Sequence, residues 1–424
     1  MLIPHPAPAV AAPFHGWRVV AAAFVIAAFG WGVGFYGPPV YLEAVRSARG
    51  WPVALVSGAV TLHFLAGVLV VANLPALHRR FGLPRVTVAG AVLLGLGVLG
   101  WALARTPWQL YGATLLTGAG WPALGAAAIN AIVAPWFVAK RPAALSMAYN
   151  GASIGGVIFS PLWVALIGWG GFPLAACLVG LAMVATVAAL AAGILARSPE
   201  SLGQHPDGAA GPVTPVAAAE VSSGVPLAHP WRDPAFLTLA AGMALALFAQ
   251  IGLIAHLVSL LVPALGVQGA GFAAGLSTAA AILGRTLVGW LMPARADRRI
   301  VAALSLLVQA LGCGALLLAQ GTSTPLLLAG VVLIGLGIGN ATSLPPLVAQ
   351  AEFRRADVAR VVALIVATAQ GAYALAPAAF GLLRATAPEA AVYLAAILVQ
   401  LAAVAAYCVG RGLHARREPY ASAR

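Results

Sequence analysis

Apolar residues run through this chain in long blocks, too uniformly apolar for the one-sided stripe of a soluble helix, and short polar stretches punctuate them. A helix that crosses a bilayer needs roughly 20 mostly apolar residues. Twelve windows meet that requirement: 17–41, 53–77, 85–104, 108–136, 143–167, 172–196, 235–262, 269–292, 300–319, 324–349, 359–383 and 390–410. The pattern predicts an all-α membrane protein with twelve transmembrane helices. Its one long interruption, 197–234, is rich in Pro, Gly, Ser and Ala and has no apolar period, so it reads as a flexible linker. That divides the chain into a six-helix bundle over 1–196 and a second over 235–424.

The two halves echo one another at a spacing of about 218 residues, the sign of an internal repeat. Leu74-Pro75-Ala76 matches Met292-Pro293-Ala294, Gly118-Ala119-Gly120 matches Gly337-Ile338-Gly339, and Asn150-Gly151 matches Gln370-Gly371. Two parallel six-helix repeats predict a transporter that rocks about a solute site near the midplane.

Composition agrees with the pattern: 62% of residues are hydrophobic, 8% are charged and the mean hydropathy is +0.97. The net charge of +13 invites a nucleic-acid reading, but the positions of the charges point to a topology. Only Arg46, Arg49, Arg105 and Arg384 fall on the face opposite the N-terminus, and all other basic residues except Arg285 share its face. This positive-inside bias places both termini in the cytoplasm and excludes a nucleic-acid partner. The first apolar run is too long for a signal peptide and is expected to stay as helix 1. Cys177, Cys313 and Cys408 are isolated packing residues with no metal or disulfide spacing. An Arg-, Ala- and Gly-rich composition suggests a bacterial inner-membrane protein.

The loop after helix 2 reads Pro75-Ala76-Leu77-His78-Arg79-Arg80-Phe81-Gly82-Leu83-Pro84-Arg85, and the second half carries Asp297-Arg298-Arg299. Helix 5 holds Asn150-Gly151-Ala152-Ser153-Ile154-Gly155-Gly156 and then Pro161. On these residues the chain resembles the major facilitator superfamily, although Pro75 and Arg79 stand where that family has Gly and Asp. The resemblance implies gating roles for Arg79, Arg80, Gly82, Arg85, Asp297 and Arg298. The small residues of helix 5 read equally as packing.

Arg285 is the one formal charge inside an apolar span, and none of the ten acids lies in one to neutralise it. A guanidinium presents a planar fork that fits a carboxylate. Its position is similar to the helix-8 arginine of the oxalate/formate exchangers and monocarboxylate transporters. Those dicarboxylate exchangers pair it with a helix-11 lysine, where this chain has Thr368, Gln370 and Tyr373, so the resemblance implies a solute with one negative charge. Tyr36, Asn150, Gln250, Asn340, Gln370 and Tyr373 are the expected pocket residues. His63 and His256 read either as proton sites or as hydrogen-bonded packing residues, and the repeat places His63 one turn from the counterpart of Arg285, facing the cavity.

The expected activity is secondary transport of a small organic anion, a monocarboxylate, by a monomer, with a proton as possible co-solute. The alternative is a neutral or zwitterionic nutrient or vitamin-like solute with Arg285 structural. A membrane sensor would need a signalling domain that the linker and tails do not supply. No hydrolase triad, phosphate loop or metal-ligand cluster is present in the sequence, so neither enzyme activity nor a cofactor is expected.

Overall fold

The computed structural model describes residues 13–209, 211, 229–293 and 296–415. Residues 210 and 212–228 of the expected linker, Ala294 of the repeat motif, Arg295 and the tail from 416 lie outside the described residues. Thirteen α-helices make up the described chain: α1 (Gly16–Gly34), α2 (Gly37–Arg49), α3 (Val53–Phe81), α4 (Leu83–Leu103), α5 (Pro107–Gly120), α6 (Ala126–Val133), α7 (Arg141–Leu190), α8 (Pro234–Leu291), α9 (Arg298–Ala319), α10 (Thr324–Glu352), α11 (Arg355–Ala374), α12 (Ala376–Thr386) and α13 (Ala390–Ala415).

Among the described residues, ten helical stretches are long and apolar enough to cross a membrane. Two of these, α7 with 50 residues and α8 with 58, are about twice the length of one crossing. Each changes direction at a single glycine, Gly171 (φ 79°) and Gly266 (φ 68°), in the left-handed region that a residue with a Cβ resists. Counting two crossings in each gives the twelve transmembrane helices of two pseudo-symmetric six-helix bundles.

Three crossings are broken, where an unbroken run was expected. The first pauses at Phe35 and Tyr36 before Pro38-Pro39, and α2 then carries the helix on to Arg49, beyond the expected end at 41. In the fourth, Pro122 interrupts the ladder and a 3-10 turn joins α5 to α6. The eleventh breaks at Leu375 before Pro377. Proline is the cause each time, since it removes an N–H and crowds the preceding turn.

We call the end of the molecule at which α1 begins and α13 ends proximal and the other distal. One hydrophobic cluster runs through the whole first bundle and continues into the distal parts of the second, at Ile251–Ala273, Cys313–Ile334 and Ala374–Ala396. A separate cluster fills the proximal part of the second bundle, around Phe236, Leu306, Leu344 and Tyr407. The two bundles therefore share a core at the distal end and have separate cores at the proximal end. Within the first bundle Gly151 and Gly155 of α7 sit against the α1 backbone at Phe24 and Ala28, where a side chain would collide.

The beginning of the linker departs from the expected flexible coil. Residues 199–208 fold back on the proximal end of the first bundle, where Gln204 accepts the His15 N–H at 2.9 Å and Asp207 accepts those of Val138, Ala139 and Lys140 at 3.2, 2.8 and 3.0 Å.

Candidate functional site

Arg285 sits on the proximal third of α8, half-buried at the seam between bundles. Its Nε donates to the Gly339 carbonyl of α10 at 3.1 Å. That close approach depends on Gly339, because a Cβ there would press on the arginine. No carboxylate pairs with Arg285 among the described residues, whereas Arg46 pairs with Glu43, Arg299 with Glu352 and Arg411 with Asp297. The side chain of a helical residue leans toward the helix N-terminus, here distally toward Thr278, two turns away. Tyr36 reaches the same place from the first bundle. It stands at the break between α1 and α2, where its N–H is held by Trp31 at 2.8 Å, its hydroxyl pairs with Thr278, and its phenol interacts electrostatically with Arg285.

Distal to this pair lies a cavity of about 20 Å³ between the bundles, lined by Tyr36, Ser160, Ile254, Leu257, Ser277 and Thr278 among others. It has room for a water-sized group and none for an organic solute. The Ser277 hydroxyl is buried and has no hydrogen-bond partner among the described residues.

The remaining expected residues scatter. Asn150 is exposed, on the α7 face that carries Val157 toward α8. Gln370 is paired with Tyr373, whose ring meets Phe64 of the first bundle edge-on at 5.7 Å. Gln250 is buried with its carbonyl oxygen unpartnered. Asn340 turns away from the seam into a second cavity of about 10 Å³ inside the second bundle, beside Ser305, Gln309 and Tyr407.

His63 also turns away from the central cavity. Its ring lies inside the first bundle, with Nε2 at 2.8 Å from the Gly34 carbonyl and Nδ1 at 3.0 Å from the Thr117 hydroxyl. Helical period put it on a face, but a broken α1 brings the Gly34 carbonyl to it instead. His256 lies at the distal seam, within reach of Ser57, Pro377 and Arg384.

Of the loop residues, Arg79, Arg80 and Arg85 are exposed, and Gly82 makes the α3–α4 turn at φ 82°. Asp297 caps α9 and pairs with Arg411 at 2.7 Å, while Arg298 donates to the Leu347 carbonyl at 2.8 Å. Both tie the second bundle to itself.

Sequence reasoning passed over Ser277 and Thr278. Thr278 precedes Arg285 by seven residues, which is two turns on the same helix face, so the heptad spacing from the lone charge would have found it. Thr61, Ser57 and Arg384 were also passed over, and no local signal marks them.

The profile of the family described as Major Facilitator Superfamily matches residues 20–377. Monocarboxylate transporter 11 of Mus musculus is 30% identical over 166 residues, which are 37% of this chain and 35% of that protein, so the match spans about a third of the relative. Among solved structures, the nucleoside transporter NupG superposes with a TM-score of 0.72 at 13% identity, covering 92% of this chain and 99% of that one. A bacterial homolog to the human lysosomal transporter Spinster, in an inward-facing and occupied conformation, superposes with a TM-score of 0.67 at 16% identity, covering 97% of each chain. At such identities the superpositions speak for the fold.

Proposed function

This chain belongs to the Major Facilitator Superfamily, a family of transporters, and from that premise we propose that it carries a small organic anion with a single carboxylate, bound by Arg285. The carrying observation is the state of that guanidinium. Its Nε is held by Gly339, no acid faces it among the described residues, and the bond to Nε leaves the two terminal nitrogens for a ligand. A charge in so dry a place favours an anion that presents two oxygens side by side. Tyr36 supplies a hydroxyl from the opposite bundle, so closure of the bundles on one another and ligation of the solute become one event. The partial similarity to a monocarboxylate transporter supports the same reading.

Asn150, Gln250, Gln370 and Tyr373 shape the route to the site in this reading, and Asn340 supports it from behind. The basic loops support a proximal end on the cytoplasmic side of a bacterial inner membrane, and in this reading a molecule closed distally faces inward. The boundaries 1–196, 197–234 and 235–424 delimit the moving bodies, and the protein works as a monomer.

A coupled proton has a place at His63. With Nε2–H donated to Gly34, a neutral ring accepts from the Thr117 hydroxyl; a protonated ring donates to it, and that hydroxyl turns to the Thr114 carbonyl at 2.9 Å. Neither state loses a hydrogen bond.

The Gly339 bond also favours a second reading, in which Arg285 ties α8 to α10 and the solute is neutral or zwitterionic. Uptake into proteoliposomes separates the two. The expected result is saturable monocarboxylate uptake, lowered at least about tenfold by Arg285→Gln and partly kept by Arg285→Lys, which retains charge but not the fork. Full uptake by Arg285→Gln would favour the neutral solute, and preference for dianions would overturn the single-charge reading.

A further inference from the structure

We propose that Gly156 is a positioning residue for the site at Arg285. Having no side chain, it lets Tyr36 of the first bundle meet Thr278 of the second, and that meeting holds the bundles together beside the site.

The reason lies in how α7 and α8 cross the seam. They run antiparallel, and a glycine closes each of three successive rungs. A β-carbon on Gly271 would lie 2.7 Å from the Val164 side chain, and one on Gly275 would lie 3.3 Å from both Pro161 and the Val157 carbonyl. In these two rungs α8 carries the glycine and α7 the bulk. In the third, nearest Arg285, the glycine changes sides. A β-carbon on Gly156 would lie 2.5 Å from the Thr278 methyl and 2.6 and 2.7 Å from two ring carbons of Tyr36.

This exchange has a chemical cause. At that level α8 presents a hydroxyl to the other bundle. Thr278 gives its own proton to the Ala274 carbonyl at 3.2 Å, so toward Tyr36 it accepts and the phenol donates. The bond crosses from one bundle to the other, and the space it needs is the space a side chain at 156 would fill. Tyr36 also interacts electrostatically with Arg285, so a ring pushed off its place alters what the guanidinium meets.

The neighbouring glycines of α7 behave differently. A β-carbon on Gly151 or Gly155 would run into the α1 backbone at the Phe24 and Ala28 carbonyls, which move only with their helix. The atoms nearest to a β-carbon on Gly156 all belong to side chains, a threonine methyl and the far edge of a tyrosine ring. Those groups turn aside by changing rotamer. Gly156→Ala therefore keeps the helices packed and parts Tyr36 from Thr278.

The consequence is a shift of population. The distally closed conformation loses a hydrogen bond between bundles that the open one does not make, so the open one gains. This rests on Tyr36 and Thr278 alone, and it holds for any transported solute, whether or not Arg285 binds a carboxylate.

The test uses full-length protein in nanodiscs, with Cys177→Ala, Cys313→Ala and Cys408→Ala, and spin labels on Arg49→Cys and Thr324→Cys, at the distal ends of the first and second bundle. Gly156→Ala is expected to raise the ratio of separated to closed distance populations about fivefold, with a melting temperature within about 3 °C of its parent. Tyr36→Phe keeps the ring and removes the donor. It is expected to raise the ratio about as much in the parent, but less than about twofold in Gly156→Ala, where the bond is already lost. An unchanged ratio in either single variant, or an equal effect of Tyr36→Phe in both backgrounds, would overturn the proposal. So would a Gly156→Ala protein that fails to fold or melts far below its parent, which is the behaviour of a packing glycine.

Discussion

Two arginines fourteen positions apart show how far environment decides the role of a residue. Arg299 is 1% exposed and completely engaged: Glu352 takes two of its bonds at 2.6 and 2.8 Å, Thr238 accepts at 3.1 Å and the Ala235 carbonyl at 2.8 Å. It clamps the proximal ends of α8, α9 and α10 together. Arg285 has a single carbonyl. In the sequence the first looks like one loop charge among several and the second is conspicuous, because its neighbours are apolar. Burial of Arg299 depends on Glu352, 53 residues away, which no local pattern links to it. Removing one partner of a buried pair strands the other charge. Glu352→Ala is therefore expected to destabilise the second bundle by about 3–5 kcal/mol, read as a lowered melting temperature in detergent, whereas Arg285→Gln should melt close to wild type.

Among elements, the long crossings were legible in the hydrophobic pattern and their interruptions only partly so. Pro38, Pro122 and Pro377 mark the breaks, but where the freed backbone groups go is a tertiary matter: Thr61 of the other bundle meets Ala378, and His63 meets Gly34. The strap at 199–208 escaped detection altogether, since a Pro- and Gly-rich run without apolar period has the composition of a coil. Gln204 ties it to His15, and the Asp207 carboxylate ties it to 138–140. Burial works to raise the Asp207 pKa, but the N–H groups of Ala139, Lys140 and Val138 outweigh it and hold the group below its ordinary 3.8. A carboxyl depressed by folding stabilises fully above its unfolded value and stops doing so as pH falls through the folded one. Hydrogen exchange over 199–208 should thus be protected from neutral pH down to about pH 4 and lose protection below it. Asp207→Ala should raise that exchange about tenfold at neutral pH.

For the whole molecule, the decisive fact is the asymmetry between its ends. A shared core and the Ser57, Thr61 and His256 contacts join the bundles distally, and the cores separate proximally. Rocking must break the distal set. A β-carbon added at Gly381 would collide with the Ser57 side chain across the seam. Gly381→Leu is therefore expected to wedge the distal seam apart and to lower uptake into proteoliposomes by at least about tenfold, whereas Ser57→Ala, which only removes atoms there, should keep uptake within about twofold of wild type. Full uptake by Gly381→Leu would mean that closure of this seam is not part of the transport cycle.

The sequence by itself determined the number of crossings, the repeat, the placement of basic loops and the isolation of Arg285, because each follows from the local cost of putting polar groups into hydrocarbon. Only the tertiary structure decided which polar side chains face one another. It put Tyr36 and Thr278 beside Arg285, turned His63 and Asn340 away from the seam, and set Arg384 against His256. Those pairings join helices far apart in the chain through breaks and glycine contacts that periodicity does not encode, and in a medium without water they decide which charge is held fast and which is left to bind.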